Sequence, residues 1–180
     1  TLEPGEAIFM KSGMLHAYLH GVGVEIMANS DNVLRGGLTS KHIDVPELMH
    51  VVQFDALLDP IAPAENVVLS SHGIVPAEGI ETVEYLTPVP EFRLSRSHLA
   101  PCRESHLGIE GPFIVLVTEG TVTLTSRECP EGLSVSAGHA AWVGAWEDRP
   151  TIATGENSAT VFIARAVSYT HLTLPTILLV

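Results

Sequence analysis

Phe113-Ile114-Val115-Leu116-Val117-Thr118-Glu119-Gly120-Thr121-Val122-Thr123-Leu124-Thr125 is the stretch that decides the fold. Its first half is a short run of β-branched and apolar residues. Its second half alternates threonine with Val122 and Leu124, the period-2 pattern of a strand with one buried face. Between them Glu119-Gly120 reads as a hairpin turn. The same pattern recurs outward in both directions. Thr82 to Leu86, Phe92 to Leu99, Leu133 to Ser136, Ala140 to Val143 and Ala159 to Ala164 are short strand-like runs separated by Gly and Pro turns. Many short strands at regular spacing predict an all-β sandwich or barrel.

Composition agrees. The 180 residues are 46% hydrophobic and 17% charged, enough apolar surface for a core and against disorder. The formal charge of −12 makes a broad nucleic-acid-binding face a poor expectation. No apolar run reaches the length of a membrane helix. Cys102 and Cys129 share no metal-type spacing and make no disulfide scaffold. A cytoplasmic setting is the default. The nine histidines are unusual for so acidic a chain.

The first third reads differently. Ala7-Ile8-Phe9-Met10, Ala17-Tyr18-Leu19 and Val22 to Met27 are strand-like, punctuated by Gly13, Gly21 and Gly23. Asp44-Val45-Pro46-Glu47 opens a helix, with an acidic cap, an early proline and a glutamate three residues after the cap. Val45, Leu48, Val51 and Val52 continue it, and it should fade near Phe54. Asp59 to Glu65, with two prolines, reads as a connector. A weak repeat links the two parts. Glu3-Pro4-Gly5-Glu6-Ala7-Ile8-Phe9-Met10 resembles Ser136-Ala137-Gly138-His139-Ala140-Ala141-Trp142-Val143. Eleven residues past the glycine the first copy holds His16 and the second Arg149. The start at Thr1 reads as a fragment of a longer protein. The final Ser168 to Val180 reads as translated vector or library sequence and is set aside.

The densest chemical signal is Gly5, then Lys11-Ser12-Gly13, then His16 and His20. It resembles the second cupin motif, in which a glycine turn and a strand deliver a histidine to a barrel interior. Lys11 stands where that motif usually has proline, and His20 where it has asparagine. A neutral imidazole so placed is a ligand for zinc, iron or manganese. The stretch Glu25-Ile26-Met27-Ala28-Asn29-Ser30-Asp31-Asn32-Val33-Leu34-Arg35-Gly36-Gly37-Leu38-Thr39-Ser40-Lys41, followed by Asp44-Val45-Pro46-Glu47-Leu48, is longer and more specific. It resembles the C-terminal half of the type I phosphomannose isomerases, sharply over residues 1–54 and diffusely to 166.

That resemblance implies roles. His16 matches the family's zinc-ligand histidine and Arg35 its catalytic arginine. Tyr18, Glu25, Asp31 and Lys41 match polar residues around that site. The remaining zinc ligands of the family, a Gln-x-His pair and a glutamate, would lie upstream. Ser40 departs from the family's proline before the lysine. The residue types suit the chemistry. Aldose–ketose isomerisation of mannose 6-phosphate places negative charge on a former carbonyl oxygen in an enediol-like intermediate. Zinc can polarise that oxygen, a guanidinium can stabilise the charge, and a carboxylate or imidazole must carry the proton. Arg35 and Lys41 could share the substrate phosphate.

The residues taken singly leave alternatives. Arg35 could pair with Asp31 on a loop, or Asp31 could cap the turn. Glu25, set in an apolar strand, could hold the loop or touch substrate. Tyr18 has the strand parity of His16, so both could face a barrel interior, or Tyr18 could be core with a satisfied hydroxyl. His98 and His106 around Cys102 and Glu104 match no known site spacing.

The expected architecture is therefore all-β, a cupin-type double-stranded β-helix or jelly roll with one or two short helices. A truncated first lobe spans residues 1–54 and a connector 55–66. A degenerate second lobe without metal spans 67–166, and a non-native tail 167–180. The expected function is a zinc-dependent isomerase acting on a sugar phosphate, with one zinc ligand in this chain. No nucleic acid, membrane or obligate protein partner is expected. Another metal cupin such as a dioxygenase, or a non-catalytic sugar-binding lobe, are the alternatives.

Overall fold

The computed structural model describes residues 2–28, 33–55, 61–66 and 73–167. The expected tail, beyond Val167, lies outside the described residues. The chain divides into two units, one running to Ala62 and one beginning at Pro63.

The first unit has little regular structure. Strand β1 (Ala7–Ile8) pairs antiparallel with β2 (Ile61–Ala62), and helix α1 covers Val45–Val51. Asp44 caps the helix as its sequence predicts, accepting from the backbone N–H of Glu47 at 3.1 Å. The helix ends at Val51, where Val52 turns to extended backbone.

The second unit contains β3 (Ala64–Asn66), β4 (Ile80–Tyr85), β5 (Phe92–Leu99), β6 (Glu104–His106), β7 (Phe113–Glu119), β8 (Thr121–Thr125), β9 (Leu133–Ser136), β10 (Ala140–Val143), β11 (Thr151–Thr154) and β12 (Ala159–Ala166). Four antiparallel pairings nest inside one another: β8 with β9, β7 with β10, β6 with β11, β5 with β12. Such nesting is one long antiparallel ribbon. It is rolled up by two further pairings, β12 with β7 and β11 with β8. The products are a six-stranded sheet in the order β10-β7-β12-β5-β4-β3 and a four-stranded sheet in the order β6-β11-β8-β9. This is a jelly roll.

Alternation places the core. Phe113, Val115 and Val117 of β7, Ala159, Val161 and Ile163 of β12, Val122 and Leu124 of β8, and Ile152 of β11 are buried in one cluster. Their neighbours Ile114, Glu119 and Thr121 are exposed. Five polar strand residues, Thr82, Ser95, Ser97, Ser105 and Thr154, are also buried. Thr82 and Ser97 satisfy each other through a 2.8 Å hydroxyl pair. Glu84 meets Arg93 at 3.4 Å and Arg165 at 3.9 Å. Burial lowers the Arg165 pKa, Glu84 opposes that shift and Arg93 adds to it.

Two local expectations fail. Glu119-Gly120 is not a hairpin: β7 lies in the six-stranded sheet and β8 in the four-stranded one. The chain crosses between sheets there, with Gly120 at φ +73° and its carbonyl accepting from Ala137 N–H at 2.9 Å. Ala17–Leu19 and Val22–Met27 do not form strands. The repeat explains why. Gly5 and Gly138 both have positive φ, and each turn is closed by the same hydrogen bond, Glu6 to Glu3 and His139 to Ser136, both 3.0 Å. Strands then begin two residues later, at Ala7 and Ala140. Carried on at that spacing, Tyr18 falls where β11 begins and Ile26 where β12 begins. In the second unit β11 is held by β6 and β8, and β12 by β5 and β7. The described residues of the first unit include no counterparts of those four strands. A strand lacking neighbours has nowhere to place its N–H and C=O groups except water, so it stays irregular.

Candidate active-site segment

The segment carrying the candidate residues is anchored at Gly13. This glycine sits at φ +80°, and its carbonyl accepts from Gln53 N–H at 2.8 Å. A Cβ there would lie 2.8 Å from the Val51 carbonyl oxygen. Only glycine permits both the left-handed turn and this approach to the end of α1. Met14 then forms a bridge with Gln53, and His16 follows two residues on. The capped helix thus fixes the chain that presents the imidazole.

His16 is exposed, and its Nδ1 is 3.4 Å from the Met14 carbonyl oxygen. Its ring meets that of Tyr18 edge-on, with centroids 5.9 Å apart and planes at 88°. Tyr18 in turn hydrogen-bonds Glu25. Tyr18 is itself exposed rather than core, and slight desolvation, then the Glu25 charge and that hydrogen bond, hold its phenol above the usual pKa. Glu25, expected within an apolar strand, stands on no strand. Val24, Ile26 and Ala28 are half-buried while Glu25 is exposed.

Arg35 is exposed. Its neighbour Gly36 is filled over by the side chain of Leu15, whose Cδ2 would stand 2.4 Å from a Cβ at that position. Leu15 and Gly36 thus bring the chain at His16 against the chain at Arg35. In the sequence Gly36-Gly37 reads as a loop signal, and nothing local singles out Leu15. A glycine directly after a candidate catalytic arginine is the available clue to close approach. Lys41 is exposed, its N–H donating to Thr39 Oγ1 at 3.1 Å. Asp31 lies outside the described residues.

The structure thus joins His16 to Tyr18 and Tyr18 to Glu25, and packs Leu15, next to His16, on Gly36, next to Arg35. It shows no contact of Lys41 with them. An imidazole is a suitable zinc donor, but zinc sites need three or four protein donors. Among the described residues no group of three histidines, cysteines or acids could hold a metal. The described residues do not by themselves complete a zinc site.

No family model matches the chain. The mannose-6-phosphate isomerase of Salmonella typhimurium is 37% identical over 154 residues, covering 86% of this chain and 36% of that protein. The chain is homologous to the mannose-6-phosphate isomerases. The human mannose-6-phosphate isomerase is 32% identical over 155 residues, covering 82% of this chain and 34% of its own length. The crystal structure of the Salmonella typhimurium isomerase bound to fructose 6-phosphate and zinc superimposes with a TM-score of 0.57 at 28% identity. It covers 79% of this chain and 32% of that one. The chain spans about a third of the length of the mannose-6-phosphate isomerases it matches. No helix among the described residues is long and apolar enough to cross a membrane.

Proposed function

We propose that this chain is part of a zinc-dependent isomerase that interconverts mannose 6-phosphate and fructose 6-phosphate. The observation that carries the reading is the Leu15–Gly36 contact, which sets the chain at His16 beside the chain at Arg35. Homology to enzymes of that name supports it.

In this reading His16 is one zinc donor, and the others come from outside the described residues. Zinc, when bound, supplies Lewis-acid polarisation of a substrate oxygen. Tyr18 holds the His16 ring in place and is itself held by Glu25, so the donor is orientated before substrate arrives. Arg35, permanently cationic, stabilises the charge that develops on the former carbonyl oxygen as the proton moves between adjacent carbons. Lys41 contributes positive charge for the substrate phosphate, with Asp31 a further polar residue at the site. A sugar phosphate does not cross a bilayer unaided, and Cys102 and Cys129 are unpaired. Both suit a cytoplasmic setting. We assign residues 1–54 to the lobe that bears the site and 55–66 to a connector. Residues 67–166 are then a metal-free second lobe, and 167–180 a non-native tail.

The test is to graft this chain in place of the matching third of the Salmonella typhimurium enzyme and substitute Arg35→Ala. A fall in kcat of two or more orders of magnitude, with KM little changed, supports a charge-stabilising role. A rise in KM alone would reassign Arg35 to binding. An unchanged rate would remove it from the site.

A further inference from the structure

We infer that the outer face of the six-stranded sheet in the second unit binds a neutral polyhydroxyl ligand, a sugar or sugar alcohol. Glu81 of β4 lies opposite His98 of β5, His98 opposite Thr160 of β12, and Thr160 opposite Glu119 of β7. Glu81, His98 and Thr160 face away from the core, since their chain neighbours Ile80, Leu99, Ala159 and Val161 are buried in it. Glu119 by parity should face inward with Val117. It does not, because the β7–β12 register shifts between Thr160 and Val161, so β7 gains one residue. A bulge of this kind re-aims a side chain, and here it completes the row.

The row is wired together. The Thr160 hydroxyl donates to Glu119 Oε2 at 2.9 Å. His98 Nδ1 lies 3.4 Å from the same hydroxyl oxygen. With the threonine proton committed to Glu119, that hydroxyl oxygen is left to accept from His98. Glu81 and His98 stand on adjacent strands, about 5 Å apart, and Glu119 stands two strands beyond His98, on the far side of Thr160. Arg96 and Asn66, one row along, supply donors. All these residues line one open groove of about 730 Å³ with Ile80 and Val83.

The chemistry selects the ligand. Hydroxyl groups both donate and accept, so several in a row suit alternating carboxylate, imidazole and guanidinium groups. Two carboxylates against one arginine disfavour a phosphate dianion. The described residues lining the groove all belong to the second unit, so the inference is independent of the isomerase reading.

The experiment is a titration of the isotopically labelled 180-residue chain with mannose, mannitol and mannose 6-phosphate, followed by amide NMR shifts. Saturable shifts at Glu81, His98, Glu119 and Thr160 are expected with mannose or mannitol. Mannose 6-phosphate should bind there more weakly. Glu119→Gln and Thr160→Val should each weaken binding about tenfold while leaving the remaining spectrum, and hence the fold, unchanged. Absence of saturable shifts in that row with both neutral ligands would overturn the inference. Tighter binding of mannose 6-phosphate in that row would overturn the ligand class.

Discussion

Gly120→Ala should be one of the most damaging single-methyl changes available in the second unit. Two costs add. The residue sits at φ +73°, where an L side chain costs roughly 1–2 kcal/mol. The new Cβ would also stand 2.2 Å from the Ser158 carbonyl oxygen and 3.0 Å from Ala159 Cα, both backbone atoms that cannot rotate away. Relieving that overlap should cost a further ~1–3 kcal/mol. The sum is about 3 kcal/mol, or roughly 12–24 °C in Tm for a domain of this size. Gly138 supplies the control. It has a similar φ of +82°, but a Cβ there would meet nothing within 4 Å, so Gly138→Ala should lose only the conformational cost. Urea unfolding of both variants, compared at equal m-values, measures the difference. The reasoning depends on Gly120 lying at a crossing between sheets, packed under the start of β12. An exposed hairpin turn would have open space there. Equal losses for the two variants would refute the crossing and the jelly-roll connection with it.

Phe113→Ala, at 2% exposure in the core cluster, should destabilise the second unit by about 3–5 kcal/mol in the same unfolding assay. Asp44→Ala removes the N-cap bond to Glu47 and should cost helix α1 about 1 kcal/mol, read as faster amide exchange over residues 45–51. Tyr85 has its phenol pKa raised, chiefly by burial and against the opposing charge of Arg96. Its contribution to stability should therefore be complete below the unfolded tyrosine value of about 10 and be lost as pH rises through the raised native value. Alkaline unfolding monitored with absorbance near 295 nm tests this, and Tyr85→Phe should remove that part of the pH dependence.

Much of the second unit was legible because its strands carry their own pattern. Phe92–Leu99, Thr121–Thr125, Leu133–Ser136 and Ala140–Val143 stand where alternation and glycine turns put them. Short β6 and β11 escape sequence reading because three or four residues such as Glu104-Ser105-His106 hold no readable period. Their strand character comes from neighbours. The same physics works in reverse at Ala17–Leu19 and Val22–Met27. Those residues have strand composition, yet no described neighbour pairs with them, and they remain irregular. Which sheet a strand joins is equally hidden, since Glu119-Gly120 looks the same in a hairpin and in a crossing. At the candidate site, His16 and Tyr18 share a face by parity, and their rings do meet. The Leu15–Gly36 contact is a long-range packing event that no local pattern encodes. The outer-face row from Glu81 to Glu119 is another such case, because it needs three registers and a bulge.

The central claim is that this chain carries part of an isomerase site. It is tested most directly by measuring fructose 6-phosphate formed from mannose 6-phosphate in the presence of zinc. Two proteins are compared: the 180-residue chain alone, and the chain grafted in place of the matching third of the Salmonella typhimurium enzyme. The account predicts no turnover by the chain alone, which offers one imidazole donor, and clear turnover by the graft. Robust turnover by the chain alone, or none by a folded graft that still binds zinc, would contradict it.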